Sequence, residues 1–176
     1  LNYHPEWSIE DVRYIPQNIQ IWLGSLPAFF PNAIPSSVGP GNPLCVDPSV
    51  GRGLFEPDCP IALPRDVGMS IILTSPAYLL LIPAAIRDYG RTRLVTGAAI
   101  AAFIVAVVNL AHFSQGWVQF GYRFSNDYVA FLLILVALGM AQVLRRPRGT
   151  LIVVGLVAAS IAINFWGTWW GMKLGW

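Results

Sequence analysis

Four runs of almost unbroken apolar residues fill the chain beyond its first third, at residues 69–86, 94–113, 128–144 and 150–166. Each is about 17–20 residues long, enough to cross roughly 30 Å of hydrocarbon as a helix. The pattern therefore predicts an all-α integral membrane protein with four transmembrane helices over residues 69–176. Residues 1–68 are patterned differently and are expected to form a separate extracytoplasmic segment. There Ser8, Ile9, Glu10 and Asp11 read as a helix start, a capping hydroxyl followed by acidic residues, with Pro16 limiting that helix. After it, Ile19, Ile21, Trp22, Leu23 and Leu26 alternate with Gln17, Asn18 and Gln20. This stretch is too short to span. It fits an interfacial helix or a helix packed on the ends of the spanning ones. From residue 27 to 64, Pro and Gly recur too often for a regular element, so a loop is expected.

Composition strengthens the membrane reading. Hydrophobic residues make up 55% of the 176 and charged residues only 11%, with a mean hydropathy of +0.57. A soluble domain of this size exposes far more Lys, Glu and Asp. The charges also sort by position. Arg87, Arg91 and Arg93 fill the first short connection, and Arg145, Arg146 and Arg148 the third, so six of the eleven basic residues share one side. By the positive-inside rule that side is cytoplasmic. Residues 1–68, with seven acidic and three basic residues, then face outward with the C-terminal tail. The expected location is the bacterial cytoplasmic membrane, multi-pass, with both termini extracytoplasmic. Topology accounts for the arginines, so no nucleic-acid partner is implied. The sequence opens at Leu1 with no signal-peptide pattern, which leads to the expectation of a piece of a longer polytopic protein.

Few polar groups remain to carry chemistry. Cys45 and Cys59 both lie in the outer loop, where a disulfide is permitted, two free thiols being the alternative. No CxxC motif or His–Cys cluster suggests a metal site. Pro76 and Pro83 interrupt the first run, predicting a kinked helix in which Thr74 and Ser75 satisfy freed backbone groups. Asn109 and His112 sit one turn apart near the outer end of the second run. The simpler reading is interhelical hydrogen bonding with an interfacial His. The other is a cavity lining or headgroup contact, with His112 able in principle to ligate a pigment metal. Asn164 is similarly placed and carries the simpler reading. Trp166, Trp169, Trp170 and Trp176 fit an interfacial aromatic belt or, less simply, a sugar-stacking platform.

The densest constellation is Gly116-Trp117-Val118-Gln119-Phe120-Gly121-Tyr122-Arg123-Phe124-Ser125-Asn126-Asp127-Tyr128, set between two apolar runs. If the helix resumes near Ser125, Arg123 and Asp127 lie about one turn apart and can pair. Arg123 offers a planar fork to a phosphate or carboxylate. Asp127 then holds the fork, starts the helix, or merely shapes the turn.

This constellation is close to G-W-x-Q-F-G-Y-R-[FY]-x-x-D-[FY] and resembles the C-terminal half of bacterial GT-C type membrane glycosyltransferases. That group is related to protein mannosyltransferases and uses polyprenyl-phosphate sugars. Arg13-Tyr14-Ile15-Pro16-Gln17-Asn18 resembles its Y-[IL]-P-x-N segment. Gly68-Met69-Ser70-Ile71-Ile72-Leu73-Thr74-Ser75-Pro76-Ala77 resembles its G-x-S-[IL]-x-x-T-S-P-A segment. Asn126 stands where the pattern is usually apolar, Ala130 where Pro is common, and the cysteine loop looks like an insertion. The resemblance implies transfer of a sugar from a lipid-phosphate donor outside the cytoplasm. It also implies a catalytic carboxylate in a first outer loop that is not part of this sequence, so no catalytic residue is assigned. Arg123, Asp127, His112 and Asn109 are the lipid-phosphate candidates, and the lipid-linked sugar donor is the only cofactor-like ligand implied. The other expectation is a non-catalytic accessory subunit of a large respiratory or photosynthetic membrane complex, packed on lipids and partner helices. A transporter fits less well, because no charge sits at the centre of any run.

Overall fold

The computed structural model describes residues 4–36, 39–114, 116 and 118–176, so Trp117 of the central constellation lies outside the described residues. The chain is mostly helical, with two small two-stranded sheets. Near the N-terminus, Asp11 caps a 3-10 turn over Val12–Tyr14, and α1 follows at Ile15–Gly24. Pro16 opens α1 rather than limiting a helix before it. A proline is tolerated in the first turn because its missing N–H would have no intrahelical partner there. The loop expected over 27–64 contains one short regular pairing, β1 (Ala28–Phe29) antiparallel to β2 (Ala62–Leu63). The Cys45–Cys59 disulfide closes the chain between those strands.

Next come β3 (Val67–Met69), α2 (Ile71–Thr74), a 3-10 stretch over Pro76–Leu80, and α3 (Leu81–Asp88). The expected span at 69–86 is therefore not one kinked helix but a broken segment. Pro76 opens the 3-10 stretch and Pro83 occupies the first turn of α3, so each proline sits where a helix begins. The backbone groups freed at the break are satisfied across the bundle. Ala77 N–H donates to Ser160 Oγ at 3.0 Å, and Asn164 Nδ2 donates to the Thr74 carbonyl at 2.7 Å.

Among the described residues, two helices are long and apolar enough to cross a membrane, α4 (Arg93–Ala111) and α6 (Gly149–Leu174). Only 28% and 11% of their apolar windows are buried, whereas the core helix of a soluble protein is mostly covered. Between them lie β4 (Gln119–Gly121), a 3-10 turn at Arg123–Asp127, and α5 (Val129–Leu144). At 16 residues α5 is apolar but reaches only about 24 Å, short of the hydrocarbon core. Four full spans are thus reduced to two, with α3 and α5 as shorter apolar helices beside them. Helix α6 continues past residue 166 to Leu174 and ends on Gly175 in the left-handed region, where Trp176 N–H returns to the Gly171 carbonyl.

Helices α3, α4, α5 and α6 run alternately up and down, and their packing is close. Leu80, Val143 and Val153 form one buried cluster, and Val95, Ala98 and Leu135 another. A Cβ built at Gly139 would lie 1.7 Å from the Leu80 carbonyl oxygen, so α5 meets the start of α3 backbone to backbone.

The N-terminal segment closes one end of this bundle. Asn18 is fully buried and its Nδ2 donates to the Leu110 and His112 carbonyls, both at 2.8 Å, satisfying the open end of α4. So α1 is packed on the end of a long helix, although Ile19 and Leu23 stay exposed. Asp11 faces Arg13, and that guanidinium, with the Arg13 N–H, holds its carboxyl down at about 2 from an ordinary 3.8. The folded state therefore gains from this contact fully above about pH 4, and the gain disappears as pH falls through about 2. A carboxyl NMR titration should give Asp11 a midpoint near 2, moving toward 3.8 in Arg13→Gln; an unmoved midpoint would remove Arg13 as the cause.

Candidate functional site

The broken segment, the 119–127 stretch and the far end of α6 enclose a cleft of about 530 Å³ at the same end of the bundle as α1. Its position follows from β3 and β4, which pair in parallel, Val67 with Gln119 and Met69 with Gly121. Gln119 locks the corner. Its Nε2 donates to the Val67 carbonyl at 2.9 Å, and its Oε1 accepts the Arg123 N–H at 2.9 Å. Gly68 and Gly116 flank this amide with φ of +96° and +102°. A Cβ on them would lie 2.9 Å from Gln119 Nε2 and 2.7 Å from its Oε1, so both the torsion and the space select glycine.

The wall of the cleft is almost uncharged and mixed, with Ser75, Tyr78, Gln119, Asn126, Asn164 and Thr168 set among apolar residues such as Ile71, Phe120 and Met172. Arg123 is the one charged side chain lining it among the described residues. Its guanidinium is exposed, lies 6.0 Å from the Phe124 ring, and has no carboxylate partner among the described residues. The expected Arg123–Asp127 pair does not form. Those residues occupy a 3-10 turn rather than an α-helix, and Asn109 Nδ2 reaches Asp127 Oδ2 at 2.8 Å and the Phe124 carbonyl at 3.0 Å. The second-helix amide thus holds the carboxylate and leaves the guanidinium free.

The four sequence candidates accordingly separate. Arg123 faces the cleft, while Asn109 and Asp127 meet each other outside its lining. His112 is not on the face of α4 with Asn109; it caps the helix with extended backbone and turns its Nδ1 to Ser114 at 3.1 Å. Its Nε2 lies 3.9 Å from Glu10, beside a backbone bridge between the same two residues. No group of three or more His, Cys, Asp or Glu suited to a metal occurs among the described residues. Gln119 stood out only as part of the 116–128 constellation and Ser160 only as a small residue suited to close helix packing, neither with its polar group in a role. The available signal was a lone amide between Val118 and Phe120, and a lone hydroxyl in a run of Ala and Val.

Tyr122 also lines the cleft. It is buried, and its hydroxyl has no hydrogen-bond partner among the described residues. Burial, helped by the Asp127 carboxylate, pushes its ionisation well above the ordinary phenol range, so it is a neutral donor at physiological pH.

Three of the C-terminal tryptophans also dock the cysteine loop. Trp166 and Trp170 both donate from Nε1 to the Leu54 carbonyl, at 3.3 and 3.1 Å. Phe55 packs edge-on against Phe165 and Trp169 at 6.0 and 5.2 Å. The disulfide-closed loop is thereby docked on α6. Between that loop and α6 runs a second cavity of about 530 Å³, almost wholly apolar, lined by Leu54, Phe55, Met69, Leu73, Ile163 and Trp166 among others. It and the polar cleft share the α2 segment and the same stretch of α6. Comparison with protein-family profiles, curated proteins and solved structures gives no match.

Proposed function

We propose that this chain is the lipid-phosphate-binding membrane portion of a GT-C type glycosyltransferase, engaging a polyprenyl-phosphate sugar on the outer face of a bacterial cytoplasmic membrane. The carrying observation is Arg123, a guanidinium without a carboxylate partner among the described residues, lining an otherwise uncharged cleft that also offers hydroxyl and amide groups. A phosphate monoester or diester matches that planar donor. The hydroxyl and amide groups around it suit a sugar, and the apolar cavity beside it suits an isoprenoid chain. In this reading α4 and α6 cross the bilayer, α3 and α5 fill the bundle, and residues 1–68 cover its outer end. Arg123 stabilises the phosphate as it leaves. The acceptor hydroxyl is deprotonated by a carboxylate that is not among the described residues lining the cleft.

The test is binding of a polyprenyl monophosphate, and of the matching polyprenyl alcohol, to the full chain in phosphatidylcholine nanodiscs. The phosphate should bind better than the alcohol, and Arg123→Ala should weaken the phosphate by about tenfold or more while leaving the alcohol unchanged. Equal binding of both ligands, or an Arg123→Ala variant that binds like the parent, refutes the phosphate contact.

The accessory-subunit reading draws on one observation of its own. Leu151, Val154, Ile161 and Phe165 leave much of α6 apolar and exposed, as a helix covered by partner helices or lipid requires. Stoichiometric retention of other subunits through purification in mild detergent would favour it over the enzyme reading.

A further inference from the structure

The end of the bundle opposite the Arg123 cleft concentrates charge of one sign. Arg87 and Asp88 close α3, Arg91 and Arg93 lead into α4, and Arg145, Arg146 and Arg148 join α5 to α6. That is six guanidinium groups against one carboxylate. All six are exposed, and none has an ion-pair partner among the described residues. The helix dipoles do not decide the local field. The α3 and α5 carbonyl ends and the α4 and α6 amide ends meet here, two of each.

Two of the six are placed differently from the rest. Arg87 and Arg145 line one cavity of about 240 Å³ between α3 and α5, whose floor includes Leu138, Ala141 and Gln142. Asp88 also lines it, but its Oδ2 accepts Gln142 Nε2 at 2.6 Å, which fixes that wall and occupies the carboxylate. The lining is left net cationic. The chain neighbours of both arginines are exposed aliphatics, Ile86 at 81% and Leu144 at 46%, and Leu138 and Ala141 line the cavity itself. A cationic cavity rimmed by exposed aliphatic side chains is complementary to an anion carrying hydrocarbon.

We infer that the Arg87–Arg145 cavity binds the phosphate of an anionic phospholipid headgroup, with the acyl chains lying along the exposed aliphatic side chains. This rests on the chain being embedded in a bilayer and on nothing in the glycosyltransferase reading. Soluble phosphate esters carry the same anion; the aliphatic rim is what selects the lipid.

The experiment uses the full chain in mild detergent, with bound molecules counted by native mass spectrometry. Phosphatidylglycerol, phosphatidylcholine of the same chain length, and glycerol 3-phosphate are titrated separately. Phosphatidylglycerol should bind about thirtyfold more tightly than phosphatidylcholine, and Arg87→Gln/Arg145→Gln should abolish that preference. Arg146→Gln/Arg148→Gln removes equal charge outside the cavity and should keep the preference within about threefold. Equal losses in the two double variants would show diffuse attraction and overturn the site. Binding of glycerol 3-phosphate as tight as that of the lipid would overturn the lipid assignment. Thermal unfolding of both variants should match the parent, since the Asp88–Gln142 bond is untouched. Alkaline carbonate extraction of the chain from vesicles tests the embedding separately, so failure of that premise is read apart from failure of the site.

Discussion

Gly139→Ala is expected to unfold the bundle at a markedly lower temperature, with a loss of about 3 kcal/mol or more. The added methyl would lie 1.7 Å from the Leu80 carbonyl oxygen and 2.9 Å from its carbon. Those are backbone atoms at the start of α3, so no side-chain rotation relieves the clash, and α5 must move away from the broken segment. Gly97 and Gly155 provide the comparison. Both are helical glycines where an added methyl would meet nothing within 4 Å, so alanine there should be neutral or stabilising by up to about 1 kcal/mol. Thermal unfolding of the three variants in one detergent decides the matter. If Gly139→Ala melts together with Gly155→Ala, the backbone contact between α3 and α5 is not what holds them.

The second large effect is expected at the disulfide. Cys45 and Cys59 are 14 residues apart with Cα atoms at 4.4 Å. Closing a loop of that size contributes about 3 kcal/mol in the chain-entropy model. The consequence spreads beyond the loop, because Leu54 and Phe55 inside it hold the indoles of Trp166, Trp169 and Trp170. Cys45→Ser/Cys59→Ser should therefore lower thermal stability and also shift tryptophan emission toward the red, as Trp170 loses its burial. Trp170 is 1% exposed in the intact protein, which makes that shift easy to read. Unchanged emission alongside lower stability would mean that the loop stays docked without its crosslink. An unchanged melting temperature would remove the stabilising role.

What the sequence revealed depended on whether the deciding partner was near in the chain. Continuous apolar runs located α4 within two residues at each end and the start of α6 within one, since nothing within them competes with helix, but α6 runs eight residues past the expected end at 166. The cysteine pairing was also within reach, because both residues share one loop. Residues 69–86 looked like a span by composition, yet the chain breaks there. The break is stable only because Ser160 and Asn164 wait some 80–90 residues later, at separations of 83 and 90. Arg123 and Asp127 were read with helical spacing, but a 3-10 turn and an amide from α4 parted them. Arg123 could be singled out by chemistry alone; its freedom from Asp127 could not. Pro16 shows the same limit on a smaller scale, since a proline marks a helix boundary without saying on which side the helix lies.

The partners of the break also impose an order on assembly. Ala77 N–H and Thr74 C=O belong to the first apolar segment to be made, and the groups that satisfy them belong to the last. Within hydrocarbon, an unmet peptide group costs several kcal/mol. In the membrane-embedded reading proposed above, the early segment keeps these groups unmet until α6 has emerged. The last helix made thus completes the break in the first apolar segment, and the formation of the two is coupled across everything that lies between them.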